Sequence, residues 1–268
     1  DYNSPDKLIH LFDKNTFEHL ASSTYQGQGP DEITIIGHVG IDETNRRFFV
    51  SDHDKLKIFA YDLDSVLTTP EYQPSVKIDM KKKLFPDDYL YLNDTLCIAK
   101  IIEPIGNNDY KPSVARWNMA TEEINPMPYE YPDLKKVRFI YAASAEHQLY
   151  VQCYTQYDLM TICDFNGNLK CNIYGPKWVN EKTQTQHYSL GVEFCGDKIL
   201  ALYSGGDHRT DAYYPPKFLV FDLNGNYLKT LETGYMITDF CYDKENNRLI
   251  INLNDEIQFA YLDLEGII

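Results

Sequence analysis

The sequence predicts an all-β fold, a β-propeller of four-stranded blades that runs as one domain over residues 1–268. Three observations predict it: a strand phrase repeated six times at blade-length spacing, turn dipeptides set between apolar runs, and a strand-forming composition without long amphipathic helical periods. A chain of 268 residues with 43% hydrophobic content can bury a large core. Its 22 tyrosines favour strands and are foreign to a disordered acidic chain.

The repeat opens with Ile9-His10-Leu11-Phe12-Asp13, an apolar strand ending on a carboxylate, followed by a second strand over residues 16–23. The same phrase returns as Ile58-Phe59-Ala60-Tyr61-Asp62, Val114-Ala115-Arg116-Trp117-Asn118, Thr161-Ile162-Cys163-Asp164, Leu219-Val220-Phe221-Asp222 and Ala260-Tyr261-Leu262-Asp263. The landmarks Asp13, Asp62, Asn118, Asp164, Asp222 and Asp263 are 49, 56, 46, 58 and 41 residues apart, the period of propeller blades. Upstream of five of them lies a further strand: residues 47–52, 95–99, 148–152, 198–203 and 248–252. These runs are almost continuously apolar, as expected of strands covered on both faces by neighbouring blades. Asn166-Gly167 and Asn224-Gly225 read as two-residue hairpin turns. Six landmarks favour six blades, although the first has only its own strand and the next. The alternative is a five-bladed ring that the N-terminal strand closes, which removes an exposed sheet edge.

Net charge is −15, from 25 Lys and Arg against 40 Asp and Glu, so the summed field repels nucleic acid and anionic lipid. The longest basic run, Lys81-Lys82-Lys83, lies beside Asp79, Asp87 and Asp88 and reads as a solvated turn. Cys97, Cys153, Cys163, Cys171, Cys195 and Cys241 form no CxxC pair, and most lie in apolar runs, as buried thiols do. Cys163 and Cys171 flank a hairpin and are the nearest candidates in sequence for a disulfide. No run is long enough to span a membrane, and the start at Asp1 reads as a processed or trimmed terminus.

Three stretches are similar to one known family. Gly27-Gln28-Gly29-Pro30-Asp31-Glu32 resembles its Gly-x-Gly-Pro-x-Glu signature. Residues 49–52 with 57–67 resemble its first complete blade, and Leu202-Tyr203-Ser204-Gly205-Gly206 with residues 218–226 resembles a later one. The family is the TolB-like six-bladed propellers of Bacteroides-type bacteria. The resemblance runs from about Lys7 to the C-terminus and is weakest over residues 104–186. It implies a secreted, periplasmic or cell-surface protein, with a lipid anchor in the precursor and no transferable enzymatic activity. The family carries additional strands before the equivalent of Leu8, a departure that bears on blade number.

Candidate chemistry is sparse. Gly27, Gly29 and Pro30 lack the Lys-Ser/Thr of a phosphate loop, and a turn with Glu32 over backbone amides is the expectation. The segment Asp222-Leu223-Asn224-Gly225-Asn226 lacks the later glutamate of a calcium loop. The most function-like segment is residues 204–216, where Asp207, His208, Arg209, Asp211, Tyr213 and Tyr214 combine charge with stacking rings in one loop. Glu193, on an expected innermost strand, is the further candidate. Zinc at Asp207, His208 and Asp211 is disfavoured by the absence of a two-histidine spacing, so neither metal nor cofactor is expected. His38, His53, His147 and His187 fall in different repeats. No Gly-x-Ser-x-Gly elbow or His-Glu-x-x-His helix occurs. The expected role is a binding module holding a peptide, glycan or partner protein on one propeller face. The rival is a hydrolase or lyase acting on a glycan or lactone through carboxylates at the channel mouth.

Overall fold

The structure is a computed structural model, and it describes all residues except 1–3, 5, 81–83, 107–108, 133, 135, 208 and 210–213. The basic run 81–83 thus lies outside the described residues. Strands β1 (Lys7–Phe12) and β2 (His19–Tyr25) pair as a two-stranded sheet. Four antiparallel four-stranded sheets follow in chain order. The first is β3 (Ile36–Asp42), β4 (Arg47–Asp52), β5 (Lys57–Asp62) and β6 (Ser75–Asp79). The second is β7 (Phe85–Asn93), β8 (Leu96–Gly106), β9 (Asp109–Asn118) and β10 (Glu123–Pro126). The third is β11 (Phe139–Ser144), β12 (Leu149–Tyr154), β13 (Leu159–Asp164) and β14 (Leu169–Tyr174). The fourth is β15 (Thr185–Cys195), β16 (Lys198–Asp207), β17 (Lys217–Asp222) and β18 (Tyr227–Glu232). The last sheet has three strands, β19 (Ile237–Asp243), β20 (Arg248–Leu253) and β21 (Phe259–Asp263). The fold is therefore an all-β propeller of four-stranded blades, with five blades of three or four strands and the β1–β2 pair.

The chain forms two compact units, one of residues 1–108 and 114–126 and the other of residues 109–113 and 127–268. In the first, β1–β2 places Leu8, Ile9, Leu11 and Ala21 against Phe48, Val50, Phe59 and Tyr61. Phe49 and Ile58, one residue out of phase, pack instead with Tyr89, Cys97, Ala99, Ile101 and Trp117 of the next sheet. In the second unit, Ile199 and Ala201 pack with Val151, Met160 and Ile162. Leu200 and Leu202 of the same strand pack with Phe240, Leu249 and Ile251. Successive residues of a strand point to opposite faces, so a strand between two sheets is apolar at most positions. The strand β12, Leu-Tyr-Val-Gln-Cys-Tyr, is buried throughout, with Gln152 its one polar side chain.

Each landmark residue does the same job. Asp13, Asp62, Asn118, Asp164, Asp222 and Asp263 each accept hydrogen bonds, 2.8–3.1 Å long, from backbone N–H groups two to four residues ahead. The side chain holds the turn that a strand end needs. After Asp62 the capped turn becomes the only helix among the described residues, α1 (Leu63–Thr68), with Val66 buried.

Two expectations need correction. The turns at Asn166-Gly167 and Asn224-Gly225 are one residue longer than a two-residue hairpin. Asp164 N–H donates to Asn168 O at 3.0 Å and Gly167 N–H to Asp164 O at 2.9 Å. The glycines carry the positive φ, +79° and +85°, while the preceding asparagines do not. This is a type I turn closed by a left-handed residue, favoured because the Asp164 carboxylate also accepts from Asn166 and Asn168 N–H. The candidate disulfide is not formed, and all six cysteines are free. Cys171 stands opposite Ile162, so the Cys163 sulfur points to the other face of the sheet. Burial pushes the Cys163 thiol up to about 11 and that of Cys97 to about 12.

The Gly-x-Gly turn has a direct cause. Glu32 Oε2 accepts the Gly29 N–H at 2.7 Å, and a Cβ on Gly27 would lie 2.0 Å from the same carboxylate.

Candidate functional site

The richest constellation lies in the second unit, where the β12–β13 connection, the turn after β14, the start of β15 and the end of β16 meet. Main-chain bonds set the frame. Gly175 N–H donates to Asp158 O at 2.8 Å, His187 N–H to Thr155 O at 2.8 Å, and Trp178 N–H to Gly175 O at 3.1 Å. Asp158 and His187 are each 1% exposed, and Tyr203 is buried beside them. Asp158 Oδ2 accepts the Lys177 N–H at 2.9 Å, and Oδ1 accepts the Tyr203 hydroxyl at 3.3 Å. His187 Nδ1 lies 3.2 Å from the Tyr203 oxygen and 3.5 Å from Asp158 Oδ1.

With Tyr203 donating to Asp158, its oxygen is free to accept from His187 Nδ1–H. This assigns the neutral tautomer with an unprotonated Nε2, and that atom is buried without a partner. Burial lowers the His187 pKa and outweighs the attraction of Asp158. The network is sealed from solvent, so it positions the turn above it rather than meeting a ligand. Gly175 is required here, because a Cβ would lie 2.2 Å from the Asp158 carboxylate.

The turn presents an aromatic surface. Trp178 packs against Tyr174, Tyr131 and Tyr157 with ring centroids 5.1, 5.9 and 6.3 Å away. The hydroxyls of Tyr131 and Tyr174 are 3.3 Å apart. Tyr157 is buried beneath, Trp178 and Tyr131 are half-buried, and Tyr174 is 50% exposed. Lys177 Nζ donates to Gly205 O at 3.0 Å, tying this turn to the segment expected to be functional.

Of the residues singled out in the sequence, Asp207 ends β16 and is ion-paired with Arg209 at 2.9 Å. Tyr214 is half-buried just before β17. His208, Asp211 and Tyr213 lie outside the described residues, and the zinc reading falls with them there. Glu193 pairs across from Leu200, whereas Thr185 pairs with Asp207, so Glu193 is at the opposite end of the β15–β16 hairpin. The histidines do not converge as a set. His38, paired with Asp88 at 2.9 Å, and His53 belong to the first unit. His147 bonds Gly196 O at 2.8 Å, at the hairpin end away from His187. Among the described residues no three His, Cys, Asp or Glu side chains form a metal-holding group. No helix among them is long and apolar enough to cross a membrane.

Sequence reasoning missed Asp158, Tyr131, Tyr174 and Trp178. The available signal was Gly175-Pro176-Lys177-Trp178, a turn bearing one of only two tryptophans.

Comparison with known proteins fits the blade architecture. Residues 3–95 match the sequence model of a family, DUF5128, described as a 6-bladed beta-propeller. No curated protein matches the sequence. Among solved structures, a member of the DUF4221 family from Bacteroides vulgatus superposes with a TM-score of 0.64 at 12% identity, covering 97% of this chain and 88% of that one. The extracellular domain of BT4673 from B. thetaiotaomicron gives 0.58 at 10% identity over 96% of this chain, which spans only 31% of that structure. A chain of a nidogen/laminin complex gives 0.58 at 12% identity, covering 94% and 82%. At such identities the likeness establishes the fold, a β-propeller, and nothing finer.

Proposed function

We propose that this chain is an extracytoplasmic binding module of the TolB-like kind, without catalysis of its own, that holds its ligand on the face formed by Trp178, Tyr174 and Tyr131. Asp207, Arg209 and Tyr214 form the rim of that face. The observation that carries this reading is the Asp158 anchor. A buried carboxylate, bonded to Tyr203 and to the Lys177 amide, fixes a turn whose outward product is a set of accessible rings. Rings held rigidly in this way give contact area at low entropic cost, as binding surfaces require. Asp158 and His187 are too buried to serve a substrate, and Asp207 is engaged by Arg209. Similarity of fold to an extracellular domain, and to a chain crystallised in a protein complex, supports the compartment and the role. A lipid anchor ahead of residue 1 belongs to the same proposal.

The test is a panel of immobilised oligosaccharides and peptides probed with the wild type, a Trp178→Ala/Tyr174→Ala double variant and Glu193→Gln as control. At least one ligand should bind the wild type and the control and lose the double variant. Equal binding by all three proteins, or turnover of a panel member, would overturn the reading.

A further inference from the structure

Resting on that reading, we infer that the ligand is an uncharged saccharide, one of whose rings stacks on Trp178 with Tyr174 and Tyr131 flanking it. Three features select this class.

The first is the chemistry of the surface. Aromatic ring faces suit the apolar C–H face of a sugar, and the groups around them are hydroxyls and amides. Tyr131 Oη and Tyr174 Oη lie side by side at 3.3 Å, and Asn172 Nδ2 donates to Tyr129 Oη at 2.8 Å. These groups both donate and accept, as sugar hydroxyls do. The second is charge. Three cations of these segments are engaged within the protein, Lys111 by Glu130 at 3.0 Å, Lys177 by Gly205 O at 3.0 Å, and Arg209 by Asp207 at 2.9 Å, while Lys170 and Lys182 are exposed. An acidic ligand would be opposed by the summed field of a chain of net charge −15. The third concerns peptides. Tyr129 bonds Asn172 and Tyr131 packs on Tyr174, so side chains of this chain already cover part of the β14 face that a peptide's side chains would need. Val179 is the one exposed aliphatic residue in the turn, which leaves little to receive apolar side chains.

The chain carries its own reporter. Of its two tryptophans, Trp117 is 2% exposed in the first unit, so a ligand-induced change in emission reports on Trp178. The experiment titrates the full chain with cellohexaose, mannohexaose and xylohexaose, with a galacturonic acid hexamer as the charged counterpart, and follows fluorescence and heat. The inference expects at least one neutral hexasaccharide to shift the emission. The heat of binding should persist in Trp178→Phe with reduced affinity and weaken at least tenfold in Trp178→Ala, both variants retaining the wild-type far-ultraviolet dichroism. Absence of signal from all neutral sugars, or binding of the charged hexamer alone, overturns the inference. If peptides bind this face in the panel above while neutral sugars fail, the saccharide assignment is wrong and the binding role stands. If neither class depends on Trp178, both fail.

Discussion

Acidic and amide side chains in this chain hold its own turns and hairpins. The six landmarks hold turns, and a second device recurs in the hairpins β3–β4 and β19–β20. Asp42 accepts from Asn45 Nδ2 at 2.9 Å and Arg47 at 2.9 Å, and Asp243 from Asn246 Nδ2 at 2.7 Å and Arg248 at 3.0 Å. Asp158 takes the same role to the interior. Asp158→Ala would remove the acceptor of the buried Tyr203 hydroxyl and of the part-buried Lys177 amide, at about 1–3 kcal/mol for each. A urea midpoint lowered by the equivalent of about 2–4 kcal/mol is expected; a loss under about 0.5 kcal/mol would show that the anchor is dispensable. The landmarks were legible because they recur at one place in each repeat. Asp158 was not, since its partners His187 and Tyr203 are 29 and 45 residues away in sequence and meet it only through packing.

The sheets owe their order to a rule that individual strands obey. Four residues before the landmark, Ile58, Met160 and Phe218 are fully buried against the next sheet. The corresponding Phe259 of β21 is 50% exposed. Phe218→Ala, which also removes a T-shaped contact with Phe240 at 4.9 Å, should cost about 3–5 kcal/mol. Phe259→Ala, at a half-exposed position, should cost clearly less than Phe218→Ala by chemical denaturation. Equal losses would contradict the stacking order. These buried strands were readable as unbroken apolar runs. The helix α1 and the extra residue in the Asn-Gly turns were not, since both depend on which backbone amides the capping aspartate reaches.

For the whole molecule, burial leaves its clearest mark on histidine. His53, which faces Asp87, Asp52, His38 and Lys100, and His187, which faces Asp158, Tyr203 and Lys177, both have pKa values lowered chiefly by burial. A lowered native pKa means that the unfolded chain takes up the proton first. Stability is therefore full above the ordinary value of 6.5 and declines as pH falls below it, by at most about 1.4 kcal/mol per pH unit for each histidine. A second decline follows below 3.8, as Asp42, Asp62 and Asp222, held below their ordinary value in the folded chain, are protonated. Urea midpoints at pH 7.5 and 5.5 should differ in that direction, and a flat profile would contradict the burial of both rings. The binding role itself meets its most direct test in hydrogen–deuterium exchange of the full chain with and without a ligand identified in the panel. Protection confined to residues 129–131, 155–158, 174–179 and 203–209 is the predicted result. Protection centred on the Cys195–Lys198 turn or on β21, with residues 174–179 unchanged, would contradict it.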